Sequence, residues 1–103
     1  MAPPSRAFKH LLLWLIAGTR GGENRGRIIV TLRDEPMNTN QLSNHLELDY
    51  RTVKHHLDVL EENGLVSTIG DGYGKMYYVS SRLEENMELF EEIWGNKEEN
   101  KPE

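Results

Sequence analysis

The chain has 103 residues, enough for one domain with one core and too few for two. It contains no cysteine, which excludes a disulfide framework, a thiolate metal site and a cysteine nucleophile together. The net charge is −5 but polarised: residues 1–27 carry five cations and one carboxylate, and residues 82–103 carry three cations and eight carboxylates.

Pro3, Pro4 and Ser5 form a helix-start signal, with Ser5 as the N-cap. Phe8, Leu11, Leu12 and Leu15 follow at helical spacing, while Leu13, Trp14 and Ile16 fill other faces. A helix apolar nearly all round is expected to be buried on more than one side. Its unbroken apolar run, Leu11 to Ala17, falls far short of the roughly 20 residues of a membrane span. Gly18-Thr19-Arg20 is a poor signal-peptide cleavage site, so a cytoplasmic protein without membrane association is expected. Gly21 and Gly22 end the helix. A second helix is expected from Glu23 or Asn24 to Asp34, stopped by Pro36, with Ile28, Ile29 and Leu32 inward.

Asn38, with Gln41 three residues on, is a capping box for a short third helix carrying Leu42, His45 and Leu46. The turn Glu47-Leu48-Asp49 leads to a fourth helix capped by Asp49, with Val53, His56, Leu57 and Leu60 as its buried stripe and Gly64 at its left-handed C-terminal position. Leu65–Ile69 and Lys75–Val79 are rich in β-branched and aromatic residues and form two strands, joined by the flexible tip Gly70-Asp71-Gly72-Tyr73-Gly74. A last helix is expected from Ser81 to Trp94, with a frayed polar tail after it.

A short helix, a tight turn and a second helix is the helix-turn-helix arrangement. A glycine-rich hairpin straight after it makes the expected fold a winged helix-turn-helix, mainly α with a small β-hairpin. The segment from Asp49 to Val66, and above all His55-His56-Leu57 followed by Leu60-Glu61 and Gly64-Leu65-Val66, resembles the recognition helix of ArsR-type regulators. The resemblance covers residues 24–80. The leading segment, from Trp14 through Gly22 to Arg27, looks like a version common in archaeal members. It implies a dimeric, sequence-specific transcription regulator that binds double-stranded DNA. Two departures stand out: Glu47 occupies a turn position where members usually carry glycine, and the cysteines of the metal-sensing branch are absent, so that sensing role is not implied.

The candidate DNA contacts are Tyr50, Arg51, Thr52, Lys54 and His55 on the first turns of the fourth helix, outside its apolar stripe, and Tyr73 and Lys75 on the hairpin. Arginine and lysine there suit guanine edges and phosphates. The candidate dimer interface is Phe8, Leu11, Leu12 and Leu15 on the first helix with Met87, Phe90 and Trp94 on the last, because residues 24–80 carry single apolar stripes whereas the flanking helices offer wide ones that a monomer would leave exposed. The organisation expected is a dimerisation helix over 1–22, the DNA-binding domain over 23–80, a second dimerisation helix over 81–95 and a flexible tail over 96–103.

None of His10, His45, His55 and His56 has another histidine four residues away, and adjacent histidines diverge by about 100° on a helix, so no metal or other cofactor is expected. There is no nucleophile elbow, phosphate-cradling loop or H-E-x-x-H, and an enzyme is not expected. Two rival readings exist: a winged-helix protein-interaction module of the transcription or replication machinery, supported by the acidic total, and an adaptor using the Phe8–Ile16 helix at a membrane surface.

Overall fold

The computed structural model describes residues 5–99. Pro3 and Pro4 of the helix-start signal, and residues 100–103 of the expected tail, lie outside them. The elements are α1 (Arg6–Ile16), α2 (Gly22–Asp34), α3 (Thr39–Leu46), α4 (Tyr50–Glu62), β1 (Val66–Ile69), a single 3₁₀ turn (Gly72–Gly74), β2 (Met76–Val79), α5 (Ser81–Glu85) and α6 (Met87–Glu99). This is the winged helix-turn-helix expected.

Short polar side chains start most of the helices, each accepting from an otherwise orphaned backbone N–H. Ser5 Oγ accepts from Phe8 N at 3.1 Å. Asn38 and Gln41 exchange both bonds of the capping box at 2.8 and 2.9 Å. Asp49 accepts from Arg51 N and Thr52 N, and Ser80 from Leu83 N. The turn between α3 and α4 is tight because Glu47 adopts φ 55°, ψ 45°. This is the left-handed conformation that a glycine would supply there at lower cost.

β1 and β2 pair antiparallel, with Val66 opposite Val79 and Ile69 opposite Met76. Met37, just before α3, exchanges backbone hydrogen bonds with Tyr77 at 2.8 and 3.1 Å. This bridge, which no sequence pattern announced, roots the wing to the entrance of the helix-turn-helix.

One core runs through the whole chain. Leu12, Leu15 and Ile16 of α1, Ile28 and Ile29 of α2, Leu42 of α3, Leu57 and Leu60 of α4 and Phe90 of α6 are all fully buried in it. Each such side chain contributes about 1.5–3 kcal/mol. The flanking helices are therefore part of the fold rather than appendages. The expectation that α1 is buried on more than one side is corrected: it buries one face and leaves Leu13 and Trp14 exposed. The Arg82 guanidinium also lies over the Phe8 ring, 4.4 Å from its centroid, tying α5 to α1.

The last helix is not continuous. Asn86 interrupts it by donating from its amide to Arg82 O at 2.8 Å, a side-chain bond that competes with the helical ladder. After the break, α6 places Phe90 and Ile93 in the core. The helix then continues past Trp94 to Glu99, replacing the first part of the expected tail.

Candidate nucleic-acid interface

The apolar stripe of α4 is as expected: Val53, His56, Leu57 and Leu60 are buried. Packing that stripe inward leaves Tyr50, Arg51 and His55 exposed, with Thr52 and Lys54 half-exposed beside them. Among the described residues, the Arg51 guanidinium has no hydrogen-bond or ion-pair partner. Asp49 already occupies the N-terminus of α4, so an incoming phosphate meets side chains there rather than free backbone N–H groups.

The two lysines differ from Arg51. Lys54 forms an ion pair with Asp58 one turn on, and that hydrogen bond outweighs burial in pushing its pKa up. Lys75 Nζ lies 3.4 Å from Glu61 Oε1 and over the Tyr77 ring at 5.4 Å. Glu61 Oε2 also accepts from Thr68 Oγ1 at 3.4 Å. Glu61 thus joins the back of α4 to β1 and to the residue just before β2, a role that sequence reasoning missed because a glutamate there reads as solvated surface. Tyr73 stands at the wing tip, 89 % exposed, near Ile69 at 66 %.

Two cations of the basic N-terminal segment are internal ties. Arg27 donates to Leu46 O at 3.0 Å, fixing the end of α3. Arg25 is 6 % exposed and donates to Leu15 O at 2.9 Å. It also donates to Thr19 Oγ1, and its Nη1 lies 3.3 Å from His56 Nδ1. Burial pulls the Arg25 pKa down. It also pulls that of His56 down, reinforced by Arg25 and His55. The sequence placed His56 in the packed stripe but gave no sign of its partner, because the pair is 31 residues apart.

Most of the expected dimer residues are already used within one chain. Phe8, Leu12, Leu15 and Phe90 are buried in its own core, which corrects their assignment to a partner surface. Leu11, Met87 and Trp94 are half-buried against that core. Trp94 stacks on Phe90 at 6.2 Å and lies over Gly26 of α2. What remains open is a groove of about 540 Å³ between α1 and α6, lined by Lys9, Leu13, Ala17, Leu89, Glu92 and Ile93 among others, with Trp14 58 % exposed on the same helix as Leu13.

Among the described residues, no cluster of three or more acidic or histidine side chains is arranged to hold a metal ion, and no helix is long and apolar enough to cross a membrane.

The fold recurs among regulators. Reduced HlyU from Vibrio cholerae is 26 % identical, with a TM-score of 0.65 over 85 % of this chain and 90 % of that one. The homodimeric winged helix-turn-helix DNA-binding domain of a possible ArsR-family transcriptional regulator from Mycobacterium bovis is 18 % identical, with a TM-score of 0.66 over 99 % of this chain and 94 % of that one. Rv0081 of M. tuberculosis is 18 % identical, with a TM-score of 0.69 over 96 % and 97 %. Comparison with curated protein sequences gave no significant match. The family model for bacterial regulatory proteins of the arsR family matches residues 22–68, from the start of α2 into β1. Those residues are similar to the arsR family, and with β2 completing the hairpin the chain has the architecture of a winged helix-turn-helix.

Proposed function

We propose that the protein is a sequence-specific, double-stranded-DNA-binding transcription regulator that acts as a homodimer and catalyses no reaction. The observation that carries this reading is the first two turns of α4: an exposed face of Tyr50, Arg51 and His55, its guanidinium without a partner among the described residues, on a helix whose opposite face is locked into the core. Such a helix presents its N-terminal turns to a major groove. Tyr73 at the wing tip is then the candidate contact to the flanking backbone or minor groove. Lys54 and Lys75 reach phosphate by exchanging Asp58 and Glu61 for it.

The homodimer is supported by the exposed Leu13 and Trp14 beside the α1–α6 groove and by the homodimeric state of the M. bovis relative. The interface so proposed uses the outer face of α1, with Leu13 and Trp14, in place of the buried residues. Residues 23–80 are the DNA-binding part, and α1 and α6 brace it as well as pairing the copies.

Selection of bound sequences from random duplexes tests the reading, with an enriched palindrome expected. About six phosphate contacts per dimer would lower affinity roughly a thousandfold between about 50 and 200 mM salt. Arg51→Ala is expected to weaken binding at unchanged stability, and more than Lys54→Ala does, because Lys54 is already neutralised in the free protein. Affinity flat with salt would overturn the DNA reading and favour a protein partner.

A further inference from the structure

The Arg25–His56 contact is placed where it can do more than hold the core. Arg25 sits at the start of α2, His56 in the middle of α4, and the same guanidinium reaches the last turn of α1 through Leu15 O and the α1–α2 loop through Thr19. Among the described residues its hydrogen-bond partners are all neutral. A buried guanidinium without a carboxylate depends on each of those acceptors, since losing one leaves a charged donor unsatisfied. The site has no slack: a Cβ on Gly21 would sit 2.5 Å from Arg25 Nη1 and 2.7 Å from His56 Cε1.

We propose that Arg25 and His56 are the positioning pair that sets the recognition helix against the α1–α2 corner, and that a proton on His56 releases it, so that DNA affinity falls as pH falls. The proposal rests on α4 being the DNA-reading helix.

The geometry dictates the direction. The guanidinium can only donate, so His56 Nδ1 must accept, which requires the neutral imidazole with its proton on Nε2. Protonating Nδ1 turns an acceptor into a donor facing a donor and places two cations at hydrogen-bond distance. The charged or titratable groups acting on the ring are Arg25 from α2 and His55 from α4 itself, 5.4 Å away between ring centroids. The α1–α2 loop brings only Gly21 and Thr19 to the cluster. Nothing among these favours the imidazolium. Burial adds to the effect and holds His56 below its ordinary value of 6.5. The unfolded chain therefore takes up this proton first. The stabilising contribution is present above about pH 6.5 and is lost as pH falls toward and through the lower folded value.

His55, exposed on the adjacent face of α4, is common to the parent and to His56→Asn, so a comparison of the two isolates His56.

The test uses the full chain. The His56 imidazole is titrated by NMR in the free protein while amide shifts are followed. A selected duplex is titrated from about pH 8 to about pH 5.5 with the parent and with His56→Asn, whose Oδ1 can take the place of Nδ1 as an acceptor that does not titrate. The expected result is His56 titrating below 6.5, with linked amide shifts at both Tyr50–His55 and Leu15–Thr19. Parent affinity should fall relative to His56→Asn by up to about tenfold per pH unit for each His56. Arg25→Gln, the second variant should His56→Asn fail to fold, is expected to move the His56 titration up toward the ordinary value. Parallel pH profiles for parent and His56→Asn, or amide shifts confined to the neighbours of His56 on α4, would overturn the proposal. A parent that binds no duplex at about pH 8 refutes the DNA reading instead, and the coupling then stands or falls on the NMR titration alone.

Discussion

Gly21, Gly22 and Gly26 lie where α1, α4 and α6 converge on the start of α2, whereas Gly70, Gly72 and Gly74 make up the tip of the wing. At the convergence, an added Cβ has nowhere to go: on Gly22 it meets the backbone carbonyl of Ile16, and on Gly26 the Trp94 ring. At the wing tip, Gly72 and Gly74 have open space around them, and what sets Gly72 apart is a φ of +60°. In one region glycine is required because neighbouring elements press close together. In the other it is required, where it is required at all, by the backbone angle. Close packing at the convergence makes the body of the domain rigid, and open space at the tip leaves the wing free to meet a second molecule.

Alanine substitutions break this comparison most sharply at Gly22. The clash is with backbone at the end of α1, so relief demands that two helices part. Gly22→Ala is expected to cost about 3 kcal/mol or more, read as a lower denaturant midpoint at fixed protein concentration. A loss below about 1 kcal/mol would mean that the α1–α2 corner is not packed as described. Gly26→Ala comes next, at about 1–2 kcal/mol, because a half-buried Trp94 ring can move aside where a carbonyl cannot. A double-mutant cycle with Trp94→Ala sharpens the point. The two losses should fall short of additive, since removing the ring also removes the clash. Simple additivity would separate Gly26 from Trp94.

These contacts also show what the sequence could and could not disclose. The helix-turn-helix was legible from local chemistry: the Asn38–Gln41 capping box, Asp49 at the head of α4, the Val53–Leu60 stripe and Gly64 after it are all short-range patterns, and each recurs in the structure. The exposed turns of α4 followed by subtraction, as the face left over once the stripe was buried. Gly21 and Gly22 were legible only as the end of a helix. Their larger role depends on what lies across the interface, which periodicity does not encode. The same limit explains the reading of Phe8, Leu12, Leu15 and Phe90 as dimer contacts. Counting apolar residues on α1 and α6 shows that they must be covered, but not that α2 and each other do the covering. Arg25 was counted with the cations available to DNA because its acceptors, Leu15 O and His56, are set by tertiary packing. Lys75 lost its freedom in a similar way, to a glutamate 14 residues earlier.

Within the wing the expected effects are smaller, and they separate two glycines that are two residues apart. Gly72 holds a left-handed conformation, in which an L side chain costs about 1–2 kcal/mol. Gly72→Ala should lose about that much, or less if the 3₁₀ turn rearranges. Gly74 has neither a positive φ nor a neighbour within 4 Å of an added Cβ. Nothing in the folded chain requires glycine there, and alanine would reduce the freedom of the unfolded chain. Gly74→Ala should therefore change stability by less than about 0.5 kcal/mol, or raise it by about 0.4–1 kcal/mol. A clear loss would mean that the tip is packed against something in solution, such as a second copy. The same variant titrated with duplex DNA carries the comparison to function. Weaker binding at unchanged stability would place nucleic-acid backbone within contact of Gly74 and make close approach to a ligand the reason for its missing side chain.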